Sequence, residues 1–324
     1  MKLRYIVLAL PVSLSCLLAQ TPQIRYEGQT DLLKLPAGVY LGEVAGVALN
    51  SKGHIFAFSR GGREQLMEFD ADGKFLREIG KHIFAFTNST SFGAHSVRVD
   101  SEDNIWAVES ESNMVVKFNS AGQVVMLLGR KPEPGQLPIR MPGSPPPDPP
   151  PANMIFFNGP TDIAFDSSGN SFISDGYRNS RIVKVNKTGK WVKTWGQKGS
   201  APGEFSAPHS VATDAKGNVY VADRGNKRIQ VFDNDGNFLK QWPADAQAIC
   251  ITPGPNQVVY STDNIRPIYK FDLNGKLLGV FGEQGTQTGQ IGWVHEMVCP
   301  ADNTLYVGEL LNWRVQKLTL YPER

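Results

Sequence analysis

The sequence predicts an all-β fold, a six-bladed β-propeller, on three observations. A unit of four short strands recurs along the chain in six copies. The last copy stops at its third strand, and a spare apolar segment, residues 30–35 (TDLLKL), precedes the first copy. One complete copy occupies residues 204–242 (EFSAPHSVATDAKGNVYVADRGNKRIQVFDNDGNFLKQW). Val211, Thr213, Val219, Val221, Ile229 and Val231 supply its β-branched strand positions. The stretches 214–218 (DAKGN) and 233–237 (DNDGN) supply its turns, where Asp, Asn and Gly bond locally or adopt positive φ.

Aligned on the first strand and its turn, the copies place turns at 50–54, 100–104, 166–170, 214–218, 252–256 and 300–304. A strand follows each: IFAF, IWAV, SFIS, VYVA, VVYS and LYVG. The third strands end in Phe69, Phe118, Val185, Phe232 and Phe271, each ahead of a turn with Gly73, Gly122, Gly189, Gly236 or Gly275. A four-stranded sheet cannot bury both of its faces alone. Six of them stacked around an axis cover each other and protect their edges. An open solenoid is the alternative, and the truncated last copy with its spare leading segment argues for a ring. We expect residues 30–35 to complete the last blade and close it.

The segment 131–157 breaks the rhythm (KPEPGQLPIRMPGSPPPDPPPANMIFF). Proline removes ladder donors, so this stretch is expected as an inserted loop, either polyproline-like surface chain or a lid over one end of the channel. Ahead of the propeller, Lys2 and Arg4 precede an apolar run that ends in Leu17-Leu18-Ala19. Residues 1–19 therefore read as a signal peptide, with residues 20–324 as the propeller and the protein as secreted or periplasmic. No later stretch is long and apolar enough to span a bilayer. A formal charge of +2 with no basic run gives no footprint for nucleic acid. Past the leader only Cys250 and Cys299 remain. A disulfide between them and burial as two small apolar side chains are both open readings.

The repeat register then becomes informative. Five residues before each first turn stand Ala45, His95, Thr161, His209, Gln247 and His295. Histidine holds this position in the second, fourth and sixth copies only, and three of the five histidines in the chain are used that way. Alternate blades of a six-membered ring lie a third of a turn apart, so three equivalent side chains on channel-lining strands converge on the axis. Three imidazoles with one open position is the ligand set of a catalytic zinc. Neutral channel histidines held by hydrogen bonds are the alternative. His54 and His82 fall outside the register, in a turn and a linker.

Loops after the second strands face the same end and carry Arg60, Tyr177 and Arg224. Two arginines beside a metal suit a substrate carboxylate, and a tyrosine there suits a general base. Inter-blade ion pairs and simple packing are the other readings of these side chains.

The repeats resemble NHL repeats. The stretches 46–61, 93–108, 160–184, 203–232 and 294–309 resemble the peptidyl-α-hydroxyglycine α-amidating lyase family, above all in SDGYRNSRI (174–182) and PGEFSAPHS (202–210). The resemblance covers nearly all of the chain past its leader. It implies His95, His209 and His295 as zinc ligands, Tyr177 as the catalytic tyrosine, and Arg60 and Arg224 as substrate arginines. It also implies a calcium ion held by the backbone oxygens of Val47 and Val97 and the carboxylate of Glu296, where the family has aspartate. Arg178 and Tyr220 stand where the family has cysteines, and Trp293 where it has methionine.

The expected function is a zinc lyase, acting as a monomer, that splits the C–N bond of an N-acyl- or peptidyl-α-hydroxyglycine into an amide and glyoxylate. The alternatives are a metal-dependent lactonase or esterase on a similar propeller, and a non-enzymatic NHL binding scaffold.

Overall fold

A computed structural model describes residues 21–61, 63–84, 93–130 and 156–321. The expected signal peptide and residues 131–155 of the proline-rich insertion lie outside the described residues. In chain order the strands are β1 (Arg25–Gln29), β2 (Glu43–Leu49), β3 (Ile55–Arg60), β4 (Gln65–Phe69), β5 (Phe75–Ile79), β6 (Ala94–Val99), β7 (Ile105–Glu109), β8 (Met114–Phe118) and β9 (Val124–Gly129). There follow β10 (Asp162–Phe165), β11 (Ser171–Asp175), β12 (Arg181–Val185), β13 (Trp191–Trp195), β14 (Pro208–Thr213), β15 (Val219–Asp223), β16 (Arg228–Phe232) and β17 (Phe238–Pro243). The last seven are β18 (Ala248–Ile251), β19 (Val258–Thr262), β20 (Ile268–Asp272), β21 (Leu277–Phe281), β22 (Val294–Ala301), β23 (Thr304–Glu309) and β24 (Arg314–Tyr321).

These strands form six antiparallel four-stranded sheets, the blades of a β-propeller. Blades 1 to 5 run consecutively from β2 to β21, and blade 6 takes the order β1-β24-β23-β22. The ring is therefore closed by an N-terminal strand, but not by residues 30–35. The closing strand is β1, paired from Arg25 opposite Tyr321 to Gln29 opposite Lys317. Its sequence, RYEGQ, alternates between exposed and half-buried positions, so apolar pattern does not mark it. The open ladder edge of β24 recruits it. Residues 30–35 run onto blade 1 instead, where the Lys34 N–H donates to the Gly73 oxygen at 2.7 Å. Their leucines fill a seam between blades, which is why they looked like a strand.

The hydrophobic core is a set of six seams, one at each blade–blade interface. Phe118 of blade 2 packs with Phe56 and Phe58 of blade 1, and Phe232 of blade 4 with Phe172 of blade 3. Each such phenyl ring, fully buried, stabilises the fold by about 1.5–3 kcal/mol. Phe157, at the end of the proline-rich segment, belongs to this core, its ring tilted against Trp191 with centroids 5.0 Å apart in the seam between blades 2 and 3. Cys250 and Cys299 are joined as a disulfide across the seam between β18 and β22, with Cα atoms 6.1 Å apart.

Two sequence devices hold the blades' inner strands in place. The Asp or Asn that opens a first turn accepts the amides two and four residues on, as Asp214 does from Lys216 and Asn218 at 2.9 Å each. At the other end of the blade, a buried acid closes the second strand and meets an arginine at the start of the third. Asp175–Arg181, Asp223–Arg228 and Glu309–Arg314 pair at 2.8, 2.7 and 2.8 Å. The same acids accept the backbone amides of Asn158, Ser206 and Gly292. Those amides lie three residues before Thr161, His209 and His295, so the clamp sets where each inner strand enters the channel.

Candidate metal centre

His95, His209 and His295 stand on the innermost strands β6, β14 and β22 and are buried. The ladder register slips at each of them: between Ala94 and Ser96, Pro208 and Ser210, and Val294 and Glu296. A bulge leaves one residue without an opposite number and bends the strand. Here it lets two consecutive side chains, such as His95 and Ser96, line one channel cavity. The three rings converge, with centroids 4.6 Å (His95–His209), 4.6 Å (His95–His295) and 5.0 Å (His209–His295) apart. Each offers a ligand nitrogen, and these nitrogens lie within 4.8 Å of one another.

The other ring nitrogen is used up. His95 Nδ1 meets the oxygen of Thr161 at 2.5 Å, His209 Nδ1 that of Gln247 at 3.0 Å, and His295 Nδ1 that of Ala45 at 2.7 Å. A carbonyl oxygen only accepts, so every Nδ1 carries a proton and every Nε2 presents a lone pair. The acceptors are the three non-histidine residues of the same register, each in the next blade round. Burial pushes His95 down to about 3, and the nearby Arg60 charge adds to the effect. Burial and then the neighbouring imidazoles or arginines hold His209 and His295 well below the usual histidine range. The trio is neutral.

Tyr177 closes the open side. Its hydroxyl lies 2.8 Å from His95 Nε2 and 3.2 Å from His209 Nε2. About a third of its surface is exposed (36%), while the hydroxyl end is buried against the imidazoles. One hydroxyl proton can serve only one lone pair at a time, so the site holds more aligned imidazole lone pairs than protons to occupy them. That donor set fits zinc. Gly176 makes the approach possible: a Cβ there would sit 1.8 Å from the Pro208 oxygen. Burial raises the Tyr177 hydroxyl above its ordinary range against the pull of Arg60 and Arg224, so without a further positive charge it keeps its proton.

Arg60 and Arg224 flank the trio closely enough to disfavour charge on His95 and His295. Each is braced by a carboxylate. Arg60 Nε meets Glu43 at 3.1 Å and its Nη1 donates to the Ala94 oxygen. Arg224 Nε meets Asp263 at 3.3 Å across the seam to blade 5, and its Nη2 donates to Asn264. The structure thus brings together the histidines and the tyrosine by direct contact and sets both arginines beside them as inter-blade braces.

Below the histidines lies a second polar layer that the sequence reading missed apart from Glu296. Arg98 holds Asp162 through Nε and Nη2 at 3.0 and 2.8 Å and lies 3.0 Å from Glu296. The Ser96 hydroxyl lies between the two carboxyl groups, 2.7 Å from Asp162 and 2.5 Å from Glu296, with one proton for the pair, and Ser210 donates to Asp162. Burial works to raise Asp162, but Arg98 and the serine hydroxyls bring it below the usual carboxylate range. Glu296 is pushed up to about 8, chiefly by burial. The expected calcium does not fit this arrangement. The amides of Val47 and Val97, not their oxygens, point at Glu296, at 2.8 and 3.2 Å. Donors with positive ends surround the carboxylate where a cation would have to sit. Strand alternation was the available signal, because Arg98 stands two residues after Ser96 and shares its face.

An NHL repeat model matches residues 205–232. The chain is 29% identical over 334 residues to the peptidyl-glycine alpha-amidating monooxygenase of Mus musculus, covering 89% of this chain and 31% of that one. It is 31% identical over 211 residues to a probable peptidyl-alpha-hydroxyglycine alpha-amidating lyase of Caenorhabditis elegans, covering 59% of this chain and 56% of the relative. It thus spans about a third of the mouse relative's length and just over half of the worm one's. Among solved structures, a streptogramin B lyase superposes with a TM-score of 0.60 at 14% identity, over 91% of this chain and 98% of that one, which is a likeness of fold. The chain is a six-bladed NHL-repeat propeller whose sequence relatives include the peptidyl-α-hydroxyglycine α-amidating lyases.

Proposed function

We propose that this propeller is a zinc-dependent lyase that cleaves the C–N bond of an N-acyl- or peptidyl-α-hydroxyglycine, releasing an amide and glyoxylate. The single observation that carries the reading is the neutral imidazole trio, its three Nε2 atoms turned to the axis and its Nδ1 protons tied down, with the Tyr177 hydroxyl against two of them. His95, His209 and His295 would hold the zinc, which when bound acts as a Lewis acid toward a substrate oxygen.

The chain's own side chains account for the rest. Arg60 and Arg224, their planes braced by Glu43 and Asp263, attract and orient the substrate carboxylate. Tyr177, in its deprotonated form, accepts the proton of the α-hydroxyl. The oxygen then forms the aldehyde C=O, the C–N bond electrons pass to the amide nitrogen, and that nitrogen takes the proton back from Tyr177. Burial works against the tyrosinate while both arginines favour it. Relatives named as amidating lyases support the reaction class. The Cys250–Cys299 bridge and the basic-then-apolar leader support export to an oxidising compartment. Among the described residues no helix is long and apolar enough to cross a membrane.

A substrate panel tests the reading. Zinc-loaded protein is offered small N-acyl-α-hydroxyglycines and, in parallel, lactones and aryl esters. Glyoxylate formation from the first class alone is expected. Turnover of lactones or esters without glyoxylate would replace the lyase by a hydrolase.

A further inference from the structure

The polar layer beneath the histidines is built from all six blades. Asp162 of blade 3 accepts from Ser210 and the Val211 amide of blade 4 and from Ser96 and Arg98 of blade 2. Glu296 of blade 6 accepts from the Val47 amide of blade 1 and lies 2.5 Å from the same Ser96 hydroxyl. The Ile249 amide of blade 5 donates to Ser210, and Arg98 Nη1 donates to the Met297 oxygen of blade 6 at 2.9 Å. One guanidinium therefore touches both channel carboxylates and ties blade 2 to blades 3 and 6.

Space is shaped to match. Gly46 is the blade-1 residue at this level, and a Cβ on it would lie 2.8 Å from Glu296 Oε2 and 2.7 Å from the Val97 nitrogen. Glycine at this position gives the longer carboxylate of Glu296 its berth. The cavity left between the two layers measures only about 10 Å³, room for one water-sized sphere. A calcium ion takes six to eight oxygen ligands, whereas here the carboxylates already face a guanidinium, hydroxyl protons and backbone amides.

We propose that the Arg98 guanidinium is the resident cation of this layer, so that the chain holds its channel together without the calcium that its resemblance implies. The five N–H donors of a guanidinium span two carboxylates and a carbonyl at once, a task a bound ion performs by gathering oxygens. The inference goes beyond the lyase reading and stands whether or not the reaction is the proposed one.

The test is thermal unfolding of the full-length protein after dialysis against EGTA, with and without millimolar calcium, alongside its calcium content by atomic emission. The wild type is expected to carry no stoichiometric calcium and to unfold at the same temperature in both buffers. Arg98→Ser leaves the buried Asp162 carboxylate without its guanidinium, beside Glu296. It is expected to lose about 5–10 °C and to recover part of that loss when calcium is added. Arg98→Lys keeps a cation, and even if Arg98→Ser fails to fold, Arg98→Lys is expected to fold and ignore calcium. A wild type that retains one calcium per chain and loses stability in EGTA would overturn the proposal, as would an Arg98→Ser protein as stable as the wild type.

Discussion

The main-chain oxygen of Gln247 accepts the Nδ1 proton of His209 at 3.0 Å, and the two residues hold the same place in adjacent repeats. Thr161 does the same for His95, and Ala45 for His295. Six equivalent positions thus split into three imidazoles and three acceptors, alternating round the ring. A repeat alone would give sixfold sameness. Histidine in every second copy turns it into a threefold site whose tautomers are set by the intervening blades. The neutral trio and the tyrosine that touches it lead to the following expectations.

Tyr177→Phe removes the hydroxyl and leaves the three imidazoles in place. Zinc content should stay at the wild-type level while kcat falls by about 10²- to 10⁴-fold, the usual weight of a positioned acid–base group. Metal analysis and steady-state kinetics on the same preparation check this. Loss of zinc together with rate would recast Tyr177 as a support for the imidazoles.

Arg224→Gln keeps a polar side chain facing Asp263 and removes the charge. For carboxylate-bearing substrates KM should rise by about 10–100-fold, matching the loss of one charge-assisted contact. An analogue with a neutral amide in place of the carboxylate should be indifferent to the change. Equal losses for both analogues would assign Arg224 to the seam alone.

Asp223→Ala opens the clamp that sets the entry of β14. The carboxylate is wholly buried and bonds Arg228, Asn226 and the Ser206 amide. Leaving the Arg228 charge without its carboxylate should cost about 3–5 kcal/mol, read by denaturant unfolding. Because Ser206 lies three residues before His209, zinc affinity should weaken as well, although Asp223 ligates nothing.

Replacing both Cys250 and Cys299 by alanine cuts a link between residues 49 apart in sequence. The reduced constraint on the unfolded chain should lower stability by about 2–4 kcal/mol. The bridge joins the inner strands of blades 5 and 6, away from the imidazole face, so specific activity at low temperature should persist.

Much of this was legible in the sequence. The repeat length, the six copies and the need for a closing strand followed from strand and turn chemistry, because the residue that opens a turn accepts amides of that same turn, as Asp100, Asp166 and Asp214 do. The histidine trio followed from register alone. What escaped has physical reasons. Strand β1 is polar and is recruited by the edge of β24, so hydrophobic pattern pointed to residues 30–35, whose leucines serve a seam. The bulges at His95, His209 and His295 leave no local signature. Arg98, Asp162 and Ser210 come from separate blades and acquire meaning only once the ring brings Arg98 and Ser210 each onto Asp162. Glu296 was expected as a calcium ligand, and the Arg98 guanidinium that lies 3.0 Å from it was overlooked.

The most direct test of the central claim is glyoxylate release from a small N-acyl-α-hydroxyglycine by the full-length protein, measured before chelation, after it, and with zinc restored, alongside His209→Ala. The account predicts activity that disappears with the chelator and returns with zinc, and a folded His209→Ala protein that binds no zinc and releases no glyoxylate. Glyoxylate release by metal-free protein or by His209→Ala at the wild-type rate would contradict it.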